Sequence, residues 1–159
     1  MNQEAFEKVL RMSEEFFGTA TDPNQMPVNQ ESADKLQSIH PDTVVYKFNE
    51  KGDPIAWVVV VPTSLGVMDK FVHKKISERE LLDLAAKEKR FESLYLCGAF
   101  VLPEHRRKGY ALELTKMAIN KISGGRKLPL YSWIYSPEGR GLIDQLAKNL
   151  KQTITVVED

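Results

Sequence analysis

The sequence predicts a single α/β domain: a mixed β-sheet with helices packed on its faces. Two observations carry that reading. Segments with helical spacing of apolar residues alternate with short runs of β-branched and aromatic residues, and 159 residues suit one sizeable core.

Taken in order, Phe6, Val9, Leu10, Phe16 and Phe17 recur at helical spacing, with Glu7, Lys8, Arg11, Glu14 and Glu15 opposite. This first helix is expected to end at Gly18. Asp22-Pro23-Asn24 and Pro27 mark a turn-rich loop. Asn29 can cap a second helix carrying Ala33, Leu36 and Ile39, stopped at His40-Pro41. Residues 43–48 read as a strand, 49–53 as a hairpin turn, and 54–62 (PIAWVVVVP) as a returning strand buried on both faces. Residues 63–92 hold a helical region. Ser77-Glu78-Arg79-Glu80 is a capping box before Leu81, Leu82, Leu84 and Ala85, and Val67, Met68, Phe71 and Val72 suggest a further helix or part-helix.

Residues 93–101 (SLYLCGAFV) form a central strand, and a helix is expected over 108–122 with Leu112, Leu114, Met117, Ala118 and Ile122 on its apolar face. Ser123-Gly124-Gly125 ends it. Residues 128–135 (LPLYSWIY) give another strand. Ser136-Pro137-Glu138 opens a helix containing Leu142, Ile143, Leu146 and Leu150, and residues 153–157 close the chain as a strand.

Lys+Arg and Asp+Glu both total 22, so the chain lacks the broad basic excess of a general nucleic-acid or membrane-surface binder. Cys97 is the only cysteine, which makes a reducing cytoplasm the simpler setting. The polar start, Met1-Asn2-Gln3-Glu4, does not read as a signal peptide, and the apolar run 55–62 is too short to span a bilayer. His40, His73 and His105 are scattered without metal-ligand spacing and are expected at the surface, so no metal site is expected.

One charged stretch stands out. Arg106, Arg107 and Lys108 sit where a helix should begin, and each cation near its positive end costs about 0.3–1 kcal/mol. An anion bound to the free N–H groups there would offset that cost, and Gly109 lets a phosphate approach the backbone. Other phosphate signatures are missing: there is neither G-x-x-x-x-G-K-[ST] nor G-x-G-x-x-G after a strand. Ser123-Gly124-Gly125-Arg126 lies at a helix end and reads as a C-cap.

The run Val101-Leu102-Pro103-Glu104-His105-Arg106-Arg107-Lys108-Gly109-Tyr110-Ala111 resembles the pyrophosphate loop of the GCN5-related N-acetyltransferase family. Its core, Arg106-x-x-Gly109-x-Ala111, looks like that family's (Gln/Arg)-x-x-Gly-x-(Gly/Ala) motif after a Val-x-Pro strand end. The sequence likeness is confined to residues 93–122, while the order of elements resembles the family along most of the chain. The resemblance implies an acyl-CoA N-acyltransferase fold with a mostly antiparallel central sheet. Residues 63–92 would be a helical insertion between its third and fourth strands, where family members commonly have a short hairpin loop.

It also implies acetyl-CoA as acyl donor. Arg106, Arg107, Lys108, Gly109, Tyr110, Ala111 and Leu112 would hold the pyrophosphate. The backbone of Ala99, Phe100 and Val101 would pair with the pantetheine arm, and an N–H near Val101 would polarise the thioester carbonyl. The chemistry would be direct attack by the amine of a small-molecule or peptide acceptor, with rate gained by holding the reactants in line and a base to remove the ammonium proton.

The chain departs from the family pattern at the catalytic positions. The family's cofactor-contacting Asn and thiolate-protonating Tyr correspond to Ser136 and Ile143; Ser136 can still make a hydrogen bond, but Ile143 cannot donate a proton. The strands 93–101 and 128–135 contain no Asp, Glu or His to serve as base. Tyr131 stands about where a base would project, with Tyr95 and Tyr135 the other polar candidates, and packing of the sheet is the favoured reading of all three. Cys97 reads as buried packing. The inserted helix leaves three roles open: covering a sheet face, making a homodimer contact, or walling the acceptor site, with Asp22, Asp69 and Glu78 as the nearest acids. The missing base and acid also leave open a catalytically silent CoA-binding or interaction module.

Overall fold

The computed structural model describes residues 2–17 and 22–158. Helices α1 (Gln3–Phe17) and α2 (Gln30–Ile39) precede a hairpin of β1 (Val44–Phe48) and β2 (Pro54–Thr63). Then come α3 (Leu65–Val72), α4 (Glu78–Glu88), β3 (Ser93–Val101), α5 (Tyr110–Ser123), β4 (Leu130–Ile134), α6 (Pro137–Leu150) and β5 (Ile154–Glu158). Gly18, the expected end of the first helix, lies outside the described residues.

The strands form one five-stranded sheet in the order β1-β2-β3-β4-β5. The β1–β2 and β2–β3 pairs are antiparallel, while β3–β4 and β4–β5 are parallel. The sheet is therefore evenly mixed, where a mostly antiparallel one was expected. The cause is the connections: α5 and α6 are crossover helices, and a crossover returns the next strand in the same direction. The helical insertion joins the second strand to the third, because only β1 and β2 precede it, and it contains two helices.

Local chemistry sets the element ends. Asn29 accepts from the Ser32 N–H at 2.9 Å to start α2. Ser77 and Glu80 form the reciprocal capping box of α4, and Ser64 and Ser136 cap α3 and α6 through their hydroxyls. Gly124, at φ 63°, ends α5 in the left-handed conformation that glycine adopts without cost.

The helix after the basic run begins at Tyr110, two residues later than residue 108, the start its spacing suggests. Arg107 and Gly109 both take positive φ, 65° and 79°, so neither can continue a helix, and Gly109 becomes the N-cap. The three cations thus lie just before the first turn.

Residues of β2 alternate between two cores. Ala56, Val58 and Val60 join Leu114, Ala118 and Ile122 of α5 and Ile143 and Leu146 of α6 on one face. Val61 joins α2, α3 and α4 on the other face, where Leu36, Phe71, Leu81 and Leu82 are buried. Trp57 packs there against Val9 of α1, and its indole N–H donates to Ser13 at 2.8 Å, fastening α1 to the sheet.

Along β3 the same alternation changes phase. Leu94 and Leu96 face α5 and α6, whereas beyond Gly98 it is Ala99 and Val101 that do so. The switch comes from a β-bulge: Val60 pairs with Leu96 and Val59 with Gly98, leaving Cys97 as the extra residue. One added residue exchanges the faces of everything after it.

Candidate functional site

The parallel pairing of β3 with β4 lasts for Leu94↔Leu130 and Tyr95↔Tyr131. Ser132 Oγ then donates to the Leu96 carbonyl at 2.8 Å, and beyond it the strands part. Between them opens a cleft of about 930 Å³, walled by the parted strands and by the N-terminal turns of α5 and α6. The bulge at Cys97 lies where the parting begins.

The basic turn forms one rim. Gly109 provides no side-chain cap, so the N–H groups of Tyr110, Ala111 and Leu112 keep the orphan character of a helix start, facing a cleft that all three residues line. A Cβ built on Gly109 would meet nothing within 4 Å, so this glycine answers to its positive φ and leaves the approach to the backbone open. Arg106 donates from Nε to the Val101 carbonyl at 3.0 Å and lies 5.7 Å over the Phe16 ring, which folds its guanidinium back over the end of β3. His105 is half-buried and lines the cleft; its buried Nδ1 has no hydrogen-bond partner among the described residues. It was expected at the surface, as was His40, which is also half-buried and packs edge-on against Phe91.

A smaller cavity, about 100 Å³, lies on the opposite side of β3 between the sheet, α1, α2 and the start of α4. Phe17, Val59, Cys97, Gly98, Ala99 and Tyr135 line both spaces, so the two meet at the bulge. Glu78, the first residue of α4, reaches this cavity and is 7 % exposed. Its Oε1 accepts from the Met26 N–H at 2.8 Å, and its Oε2 from the Tyr95 hydroxyl at 2.5 Å and the Cys97 thiol at 3.7 Å. Burial pushes the Glu78 carboxyl above its ordinary range, against the opposing pull of those three donors. Burial and the neighbouring Glu78 push Cys97 well up, so it stays a thiol; it was expected to be buried packing, whereas it is half-buried at the bulge and lines both spaces.

No protein-family profile, curated protein or solved structure matches this chain.

Of the residues singled out from sequence, Ala99, Val101, Arg106, Arg107, Gly109, Tyr110, Ala111, Leu112 and Ser136 all line the larger cleft. Lys108 is exposed and does not line it. Phe100 is buried on the other face, stacked on Trp57 with centroids 4.7 Å apart. The bulge places it there by reversing the alternation. Ser136 uses its hydroxyl oxygen to cap α6, accepting from Gly139 at 3.0 Å, and its O–H remains a donor.

Tyr131 is placed away from both cavities. It is 0 % exposed, its hydroxyl lies 2.7 Å from Thr63 Oγ1, and it packs beside Tyr95 and Phe71 behind the paired end of the strands. Of the three tyrosines weighed for catalysis, Tyr95, Tyr131 and Tyr135, only Tyr135 lines the cavities, and it lines both. Ile143 is 6 % exposed and belongs to the core beside α5. Asp69 faces His73 on α3, and Asp22 accepts from Asn24 and Gln25 in its own turn, so of these three acids Glu78 is the one that lines a cavity, while Glu138 lines the larger cleft.

Sequence reasoning did not separate Glu78, Tyr135 or His105 from their neighbours. For Glu78 a signal existed: it is the first helical residue of a capping box, so its orientation is fixed, but which strand it meets is a tertiary fact.

Proposed function

We propose that the chain is an acetyl-CoA-dependent N-acetyltransferase with an acyl-CoA N-acyltransferase fold, related to the GCN5-related N-acetyltransferases, acting on an amine acceptor. The observation that carries this reading is the parting of β3 and β4 into a large cleft whose rim is a basic, glycine-capped helix start.

The residues fit the cofactor. Arg106, Arg107 and the N–H groups of Tyr110, Ala111 and Leu112 would hold a pyrophosphate. The free edge of β3 at Gly98 and Ala99 would hold the extended arm, although Arg106 already engages the Val101 carbonyl. Acetyl-CoA would supply an acyl group already activated as a thioester for attack by the amine, with the coenzyme A thiol as leaving group. The chain's own part is to orient that group at the bulge, where the ladder is broken and backbone polar groups are released. Tyr135, which lines both cavities, would be the proton donor to the departing thiolate; desolvation raises its phenol, which keeps the proton on the oxygen.

Acetyl-CoA at a hundredfold over its dissociation constant stabilises the folded chain by about 2.7 kcal/mol, a rise in Tm of roughly 5–11 °C for a chain of this size. The double variant Arg106→Glu/Arg107→Glu is expected to lose that rise. No rise in the wild-type chain at saturating acetyl-CoA would sink the assignment. Thiol release that requires an added amine separates an enzyme from a silent CoA-binding module.

A further inference from the structure

We propose that the smaller cavity is the acceptor pocket for a primary amine on a compact apolar body, and that Glu78 binds the ammonium head and takes its proton. The use of that amine as an acyl acceptor rests on the N-acetyltransferase reading; its binding does not.

The pocket's chemistry defines the guest. Its walls are mainly hydrocarbon, from Phe6, Val9, Met26, Trp57 and Phe100, and Glu78 is the buried charge among them. A buried carboxylate is ordinarily paired with a cation. Among the described residues Glu78 has no ion-pair partner, and the charged side chain that acts on it is Asp22, of the same sign. An ionised carboxylate offers about four lone-pair positions. The Met26 N–H, the Tyr95 hydroxyl and the Cys97 thiol use three of them, which leaves room for one further donor from the cavity.

Size narrows the guest further. The space is about 100 Å³ and is not closed, since it meets the larger cleft at the bulge; a closed apolar cavity of about 150 Å³ accommodates benzene, so a short branched chain fits inside this one and a single ring fills it with one edge at the junction. One carboxylate among apolar walls suits a single ammonium group and does not suit a polyamine. Placement matches the chemistry: the carboxylate lies 3.7 Å from the side chain of Cys97, the bulge residue that lines both cavities. The proton passes from R–NH3+ to the carboxylate, giving a neutral amine with its lone pair free and a carboxylic acid. Burial, which raises the Glu78 carboxyl, makes it a better base for this transfer.

Benzylamine is the probe, with benzyl alcohol as its uncharged counterpart, titrated calorimetrically into the full chain without acetyl-CoA. Saturable benzylamine binding is expected, weakened about tenfold or more in Glu78→Gln, while benzyl alcohol binds both proteins within about twofold. Ala33→Phe, which fills the half-buried rim on α2 and leaves the carboxylate in place, is expected to abolish both. Benzylamine that fails to bind the wild-type chain, or binds Glu78→Gln equally well, overturns the proposal. If Glu78→Gln does not fold, Ala33→Phe decides, and undiminished benzylamine binding there overturns it. An unchanged Tm with acetyl-CoA alongside Glu78-dependent benzylamine binding removes the N-acetyltransferase reading and leaves the amine pocket in place.

Discussion

Tyr131 and Tyr135 come from one stretch of chain and meet opposite surroundings. Tyr131 sits behind the last paired rung of β3 and β4, where its hydroxyl and those of Thr63 and Ser93 satisfy one another in a buried chain. Tyr135 stands past the parting of the strands, 43 % exposed, at the junction of two cavities. Opposite consequences of the same substitution follow. Tyr131→Phe removes one buried hydrogen bond and is expected to cost about 1 kcal/mol in urea denaturation, with amine-dependent thiol release unchanged. Tyr135→Phe is expected to change stability by less than about 0.5 kcal/mol and to slow thiol release on the order of a hundredfold. Equal loss of thiol release in both variants would contradict the separation. Sequence alone favoured Tyr131 because spacing counts residues, whereas the outcome depends on where two strands cease to pair.

At the scale of elements, the insertion does more than cover the sheet. Leu81, Leu82 and Ala85 of α4 seal the face beneath Tyr95, and its first turn carries Glu78 to β3. Three bonds clamp the loop between α1 and α2 to that turn: the Arg79 N–H to the Asn24 carbonyl at 3.2 Å, Arg79 Nε to the Gln25 carbonyl at 3.3 Å, and the Met26 N–H to Glu78. The capping box at Ser77 fixes where the turn begins, so Ser77→Ala is expected to cost about 1 kcal/mol. It should also weaken benzylamine binding by shifting Glu78, and the Tm and the titration read the two effects separately. These caps, like those at Asn29 and Ser136, were legible in the sequence, because a cap is a relation between residues three apart. Among the described residues, apolar spacing likewise locates α1, α2, α4, α5 and α6, and β-branched and aromatic composition the five strands; for α3 it suggests only a helix or part-helix, and the 3-10 turn at Pro103–His105 is not anticipated. What it could not show was pairing: the parallel half of the sheet, the bulge at Cys97 and the meeting of Glu78 with Tyr95 all depend on partners distant in the chain. The start of α5 was misjudged for a local reason, since Leu112 and Leu114 announce the helix but the positive φ of Arg107 and Gly109 delays it.

Across the whole molecule, β3 separates two electrostatic environments. An electropositive rim of arginines and helix N–H groups borders the larger cleft, and a single buried carboxylate lines the smaller one, so a chain without net charge carries opposite signs at its two cavities. The buried carboxylate should appear in the pH dependence of folding. Burial raises the Glu78 carboxyl in the native state, so between the unfolded and folded values the native chain holds a proton that the unfolded chain has released. Stability from this group is therefore fully present below the unfolded value and lost as pH rises through the folded one. Lys35, raised by its hydrogen bond to Asp83 at 2.6 Å, gives a loss of the same sign, but only at the alkaline end. Urea denaturation of wild type and Glu78→Gln across the acidic to neutral range isolates the first effect. The wild-type free energy is expected to fall relative to that of Glu78→Gln as pH rises, with the two curves parallel above the folded value. A gap that stays constant across this range would mean that the Glu78 proton is not coupled to folding. Benzylamine should shrink the gap at neutral pH, because an ammonium ion beside the carboxylate stabilises its charged form.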